Sequence, residues 1–251
     1  MAQAIRIARV ARVARVAGRG WFPYIGPMRA LASRLPGLLL AALALAAPAA
    51  AEDRVVEVLA YRWRVQGLLR GLGLFGIPGD GTATLTHRDV GAGRESVELH
   101  LIAEPSRDGE YFRYGSERDR ASGVARRAWS SYRWRGKERS KEAAIDQAGV
   151  VDIASAILSL RRDPPRRPRQ LEIWSDGRLY PVLVTPMEGG SRRRHGAEVA
   201  TRRYAIRPLQ LPQRRVWKGE IDLWLAADPV ATPVMIHVER SLASVVLTLV
   251  E

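Results

Sequence analysis

Apolar and polar residues alternate along most of the chain that follows the first 50 residues. In Val55–Val65, the apolar residues Tyr61, Trp63 and Val65 alternate with arginines, which is the two-residue period of a half-buried strand. The same period recurs in Ser96–Ala103. The pattern predicts a chain built mainly from β-strands.

One segment has a helical period instead. Asp152–Arg162 begins with an N-cap residue, carries Ile153, Ile157 and Leu160 at helical spacing, and ends just before Pro164-Pro165, which cannot continue a helix. The spacing predicts a single helix here. Its apolar face needs a sheet to cover it.

Strand patterns resume after the predicted helix. Gln170–Trp174 and Leu179–Val184 flank a tight Asp-Gly turn and read as a hairpin. Ile221–Leu225, Val234–Val238 and Ser244–Val250 follow at short spacing with no helical pattern between them. This spacing indicates an antiparallel meander at the C-terminal end of the chain.

The start of the chain has the features of an export signal. Met28 is followed by two arginines, a short apolar run, and small residues at Ala49 and Ala51 ahead of the polar Glu52. These features predict a secretory signal peptide over residues 28–51, cleaved after Ala51. We therefore expect an exported protein, located in the periplasm or, alternatively, in the medium.

Residues 1–27 contain arginine at every third position from Arg6 to Arg15, a period that builds no stable helical face. We interpret them as an upstream extension translated ahead of the true start at Met28. The alternative is a basic segment that contacts membranes or directs targeting. Residues 52–251, which follow the predicted cleavage site, are long enough for a single β-rich domain with a sizeable core.

The amino-acid composition excludes several kinds of functional site. The chain has no cysteine, which excludes disulfides, a thiolate nucleophile, a sulfur-ligated metal and a cysteine-linked lipid anchor. The formal charge of +14 falls once the first 51 residues are removed, because they hold seven arginines and no acid and leave 33 basic against 26 acidic residues. A basic exported protein is expected to meet phospholipid headgroups rather than nucleic acid, and we expect no transmembrane segment after cleavage.

The order of several short motifs resembles the exported bacterial family known as domain of unknown function 3108. The resemblance spans residues 55–251. It implies one strongly curved antiparallel sheet, an open or partial barrel, with one helix packed on its concave face, and it implies no catalytic residues. The matching motifs are Tyr61-Arg62-Trp63, Gly79–Leu85, Val151–Ile157, Asp176–Tyr180 and Lys218–Leu225, followed by Asp228 and Pro233-Val234.

The chain departs from that family in an apolar, glycine-rich insertion, Gly67–Gly81, which carries Leu72, Leu74 and Phe75. This loop either plugs one end of the sheet or forms a contact surface for a membrane, ligand or partner. Gly71–Gly76 fits a dinucleotide-binding pattern, but a proline and a second strand follow where a helix would be needed. We expect no cofactor.

Two residue pairs have the types and spacing of metal ligands. His87 and Asp89 share one strand face, as do His237 and Glu239, but neither pair has an evident third ligand, and we expect no metal. The chain also lacks the local motifs of known nucleophilic hydrolases. We therefore expect a protein that is not an enzyme.

Tryptophans are the candidate ligand residues. In a curved sheet, alternate residues of each strand line the concave face, and a large ring there can contact a ligand. We expect a binder of an apolar or amphipathic ligand such as a lipid. The alternatives are a structural module that binds another envelope protein and a hydrolase with a dispersed active site. The ligand-face candidates are Trp63, Trp134, Trp174 and Trp224.

Overall fold

The computed structural model describes residues 53–67, 79–104, 109–134, 136–194, 196–240 and 243–250. The predicted signal peptide with Ala49, Ala51 and Glu52 lies outside the described residues, and so do Leu72, Leu74 and Phe75 of the apolar insertion. In the described part of the chain, no helix combines the length and apolarity needed to span a membrane.

Fourteen strands and one helix form the described structure. In chain order they are β1 (Arg54–Gln66), β2 (Asp80–Gly91), β3 (Arg94–Glu104), β4 (Tyr111–Asp119), β5 (Ala125–Trp134), β6 (Lys137–Gln147), β7 (Val150–Val151), α1 (Ile153–Arg162), β8 (Arg169–Ser175), β9 (Arg178–Met187), β10 (Ser191–Arg194), β11 (Ala197–Pro208), β12 (Gly219–Ala226), β13 (Pro233–Arg240) and β14 (Ala243–Leu249).

The strands belong to one sheet, in the order β6-β5-β4-β3-β2-β1-β14-β13-β12-β11-β9-β8-β7, with β10 paired to β11. Neighbouring strands are antiparallel except β7 and β8, which are parallel. The C-terminal meander of β12, β13 and β14 closes onto β1, where Tyr61 faces Leu249. The sheet is strongly curved and nearly closed, which confirms the predicted mainly β, barrel-like fold.

The concave face carries the main core. Tyr61 and Trp63 of β1, Leu223 of β12 and Ile236 of β13 are buried there together with Leu160 of α1. The helix packs mainly on β3, β4, β7 and β8. Because residues two apart on a strand share a face, the alternation seen in the sequence is the direct result of this one-sided burial.

The two ends of the sheet meet by side-chain packing rather than by strand pairing. Ile173 of β8 belongs to the main core, whereas the next residue, Trp174, packs on the opposite face against Ala128 of β5. Nearby, the hydroxyl of Ser130 donates to Asp176 Oδ1 at 3.0 Å. The β5–β6 end of the sheet therefore overlaps the β7–β8 end, and this overlap makes the barrel nearly closed.

Candidate functional site

A pocket of about 540 Å³ lies between the segment that follows α1 and strands β9 and β11. Its apolar wall comes from Pro164, Pro165, Pro186, Met187 and Tyr204. Tyr204 belongs to the main core and is the register partner of Pro186, so the pocket borders the concave face. A volume of this size falls within the range of small-molecule sites, roughly 300–1,000 Å³.

Close backbone packing builds one side of the pocket. A Cβ atom on Gly189 would lie 1.8 Å from the carbonyl oxygen of Thr201, so only glycine fits there. The backbone N–H and the hydroxyl of Thr201 both donate to the carbonyl of Gly190, each at 2.9 Å. Gly190 itself has a φ of 74°, which favours glycine again. These contacts hold the segment that follows β9 against β11.

Three arginines also line the pocket, and they differ in what they bind. Arg203 is engaged, because it donates to Asp222 Oδ2 at 2.9 Å and its guanidinium lies 5.1 Å from the ring centroid of Trp224. Arg202 donates to the backbone carbonyl of Ala227 at 3.4 Å. Arg166 is exposed and forms no ion pair within the described residues.

Ion pairs at the end of α1 position the proline wall. Arg161 donates to both carboxylate oxygens of Glu57, at 2.6 and 3.0 Å, and Arg162 donates to both oxygens of Glu95, at 2.6 and 2.7 Å. Both arginines are in the last helical turn, where a positive charge also favours the helix dipole. Pro164 follows two residues later, so these contacts fix the point at which the chain enters the pocket wall.

Glu95 is the centre of a buried polar cluster. Its side chain is fully buried, lies 3.0 Å from His87 Nε2 and 3.1 Å from Arg118 Nε, and also receives Arg162. Burial alone would raise the pKa of Glu95. The hydrogen bonds from His87 and Arg162, together with the charges of Arg162 and Arg118, outweigh burial and lower the pKa to about 2.

The four predicted ligand-face tryptophans occupy four different environments. Trp63 is buried in the core, where its Nε1 donates to two backbone carbonyls at 3.0 Å. Trp134 is half-buried, with its ring centroid 5.7 Å from that of Phe112. Trp174 lies in the overlap of the sheet ends, and Trp224 lies on the convex face near two arginines. They do not line a common surface.

The two residue pairs with the spacing of metal ligands lie in different surroundings. His87 faces Glu95, whereas Asp89 pairs with Arg120 at 2.7 Å. His237 and Glu239 lie on β13 opposite Asp222 and Glu220. The pocket residues were not among the sequence candidates. The one local signal for them was the Gly189-Gly190 pair after an apolar strand, which marks a close backbone approach.

Comparison with known proteins gives no family for this chain. No family model matches it, and no curated protein matches it significantly. The resemblance to family 3108 is therefore not confirmed.

Similar solved structures come from three bacteria. A β-barrel-like protein of domain of unknown function 1849 from Brucella abortus has 8% identity and a TM-score of 0.49, covering 77% of this chain and 95% of that one. Lipoprotein LppX of Mycobacterium tuberculosis has 11% identity and a TM-score of 0.28, covering 77% and 84%. A domain from Vibrio parahaemolyticus, described as that of an outer membrane lipoprotein-sorting protein, has 10% identity and a TM-score of 0.29, covering 77% and 83%. These likenesses identify neither a ligand nor an activity for this chain.

Proposed function

We propose that the protein is a non-enzymatic, exported binder of an apolar or amphipathic ligand, which it holds in the pocket between the segment after α1 and strands β9 and β11. The observation that carries the proposal is the composition of the pocket wall. Prolines and Met187 supply apolar surface, and Arg166 and Arg202 supply charge at the same site. Met187 leaves 47% of its surface exposed, although an apolar side chain gains free energy when a ligand covers it.

The contact between His87 and Glu95 resembles part of a catalytic site, but its surroundings favour a structural role. His87 and Glu95 are 3.0 Å apart, as a base and its orienting carboxylate would be. The oxygens of Glu95 are also occupied by Arg118 and Arg162, and the side chain is fully buried. Through Arg162, Glu95 is suited to holding α1 against the sheet. It is poorly placed to reach a substrate in the pocket, since neither residue lines it.

Binding of a neutral fluorescent probe tests the proposal. We expect the full chain to bind N-phenyl-1-naphthylamine with enhanced emission, and Met187→Asp to weaken binding about tenfold because it places a carboxylate in the apolar wall. Val230→Asp is the matched control, since Val230 is 59% exposed and does not line the pocket. Absence of probe binding, or equal losses in the two variants, would contradict the proposal.

A further inference from the structure

The charged residues that line the pocket are all arginines. Elsewhere many arginines are neutralised by a neighbouring carboxylate, as in Arg127–Glu142 at 2.6 Å and Arg133–Glu138 at 2.9 Å. Among the described residues that line the pocket, none is acidic. The pocket is therefore a locally cationic site.

Two of the pocket arginines are available to a ligand. Arg166 has no ion pair in the described part of the chain, and Arg202 makes one long contact, at 3.4 Å, to a backbone carbonyl. Arg203 is committed to Asp222 and Trp224 on the convex face. Two acids adjoin lining residues in the sequence, Asp163 and Glu188, but both are exposed, neither is part of the lining, and Asp163 pairs with Arg169 at 2.6 Å.

The positions of charge and apolar surface complement an amphipathic molecule. Pro164 and Pro165 directly precede Arg166, and Pro186 lies on the strand beside β11, which carries Arg202. A guanidinium group matches the oxygens of a phosphate or carboxylate with two parallel hydrogen bonds. An apolar chain against the prolines would thus bring its head group within the reach of the two arginines.

We propose that the ligand is a single-chain amphipath with an oxyanion head group, phosphate or carboxylate, bound by Arg166 and Arg202 while its apolar chain packs against the proline wall. This inference rests on the proposed function, because it names the class of ligand that the same pocket takes. The head group determines the preference between ligands, and the apolar wall supplies affinity common to all of them.

Calorimetric titration of the full chain separates the contribution of the head group to binding from that of the apolar chain. Dodecyl phosphate and dodecyl maltoside have the same alkyl chain with an anionic and a neutral head group, and inorganic phosphate supplies the anion without a chain. All three are titrated at concentrations where the amphipaths are monomeric. The variants are Arg166→Gln and Arg202→Gln, with Arg215→Gln as the control, because Arg215 is exposed and does not line the pocket.

We expect dodecyl phosphate to bind at least about tenfold more tightly than dodecyl maltoside, and we expect this preference to shrink as salt is added. Arg166→Gln and Arg202→Gln should each reduce the preference without changing the unfolding midpoint, and Arg215→Gln should leave it intact. Equal affinities for the two amphipaths overturn the head-group inference and leave the proposed function standing. Inorganic phosphate binding as tightly as dodecyl phosphate also overturns it, because the site would then recognise a free anion. Failure of both amphipaths to bind contradicts the proposed function itself.

Discussion

At the scale of single residues, Glu95 is a position where one substitution should strongly destabilise the fold. Glu95→Gln removes the counter-charge of Arg118, whose side chain is only 7% exposed, and it weakens the attachment of Arg162. Breaking a buried ion pair in this way costs about 3–5 kcal/mol of unfolding free energy. We expect a large drop in the denaturation midpoint at neutral pH, measured by circular dichroism in urea.

Glu142→Gln is the control for Glu95→Gln, because the Glu142–Arg127 pair is about half exposed and screened by solvent, so its loss should change the stability little. The pKa of Glu95 is lowered to about 2, so its charge stabilises the fold above the ordinary glutamate pKa of about 4.3. That stabilisation is lost as the pH falls from about 4.3 through about 2. The difference in unfolding free energy between wild type and Glu95→Gln should therefore shrink as the pH falls through this window. A difference that is as small at pH 7 as it is at the acidic end of the window would refute the role given to Glu95.

The face that a strand residue occupies can be predicted from the sequence, but the side chains that it contacts across the fold cannot. The alternation that places Ile221, Leu223 and Leu225 on the core face also places Trp224 on the other face, so its position could have been predicted. The roles of Arg166 and Arg202 could not, because an arginine is free or paired only relative to carboxylates brought near by the fold.

At the scale of elements, α1 is the best-predicted part of the chain. Asp152 caps it, accepting from the backbone N–H of Ala154 at 2.8 Å and of Ser155 at 3.4 Å, while Ser155 Oγ accepts from the Asp152 N–H at 3.1 Å. The helix ends at Arg162, just ahead of the two prolines. The capping residue and the prolines act on residues close to them in the sequence, so their effect on the helix does not depend on which strands become neighbours in the fold.

The cap gives a testable prediction for the helix. Asp152→Ala removes the acceptor and should lower the unfolding free energy by about 1–2 kcal/mol. Burial raises the pKa of the Asp152 carboxyl because it disfavours the charged form, and Asp152→Asn keeps an acceptor oxygen in place without that charge. We expect Asn to retain most of the stability that Ala loses in thermal unfolding. Equal losses in the two variants would show that the cap hydrogen bonds do not hold the helix.

At the scale of the whole molecule, the pocket depends on the topology of the sheet. Its lining comes from residues 164–166, 186–187, 189 and 201–204, which are brought together by the pairing of β9 with β11 and by the attachment of α1 to β1 and β3. Alternation predicts that strands exist and which face they bury. It does not predict which strands are neighbours, so the curved sheet was foreseen through a resemblance and the pocket was not foreseen at all.

The overlap of the sheet ends could not be predicted either, because it also depends on which parts of the sheet become neighbours. Trp174 follows Ile173 on an ordinary strand pattern, and nothing local indicates that its face is covered by β5. Such long-range packing is decided by the curvature of the whole sheet. The aromatic residues proposed to line one ligand surface were therefore distributed over the core, the overlap and the convex face.

Native mass spectrometry of the full chain purified from its own cells tests the central claim most directly. We expect a bound amphipathic mass that is lost on denaturation, and a loss of that mass in Met187→Asp but not in Val230→Asp. A protein that carries no ligand and takes up neither dodecyl phosphate nor dodecyl maltoside when they are added would contradict it.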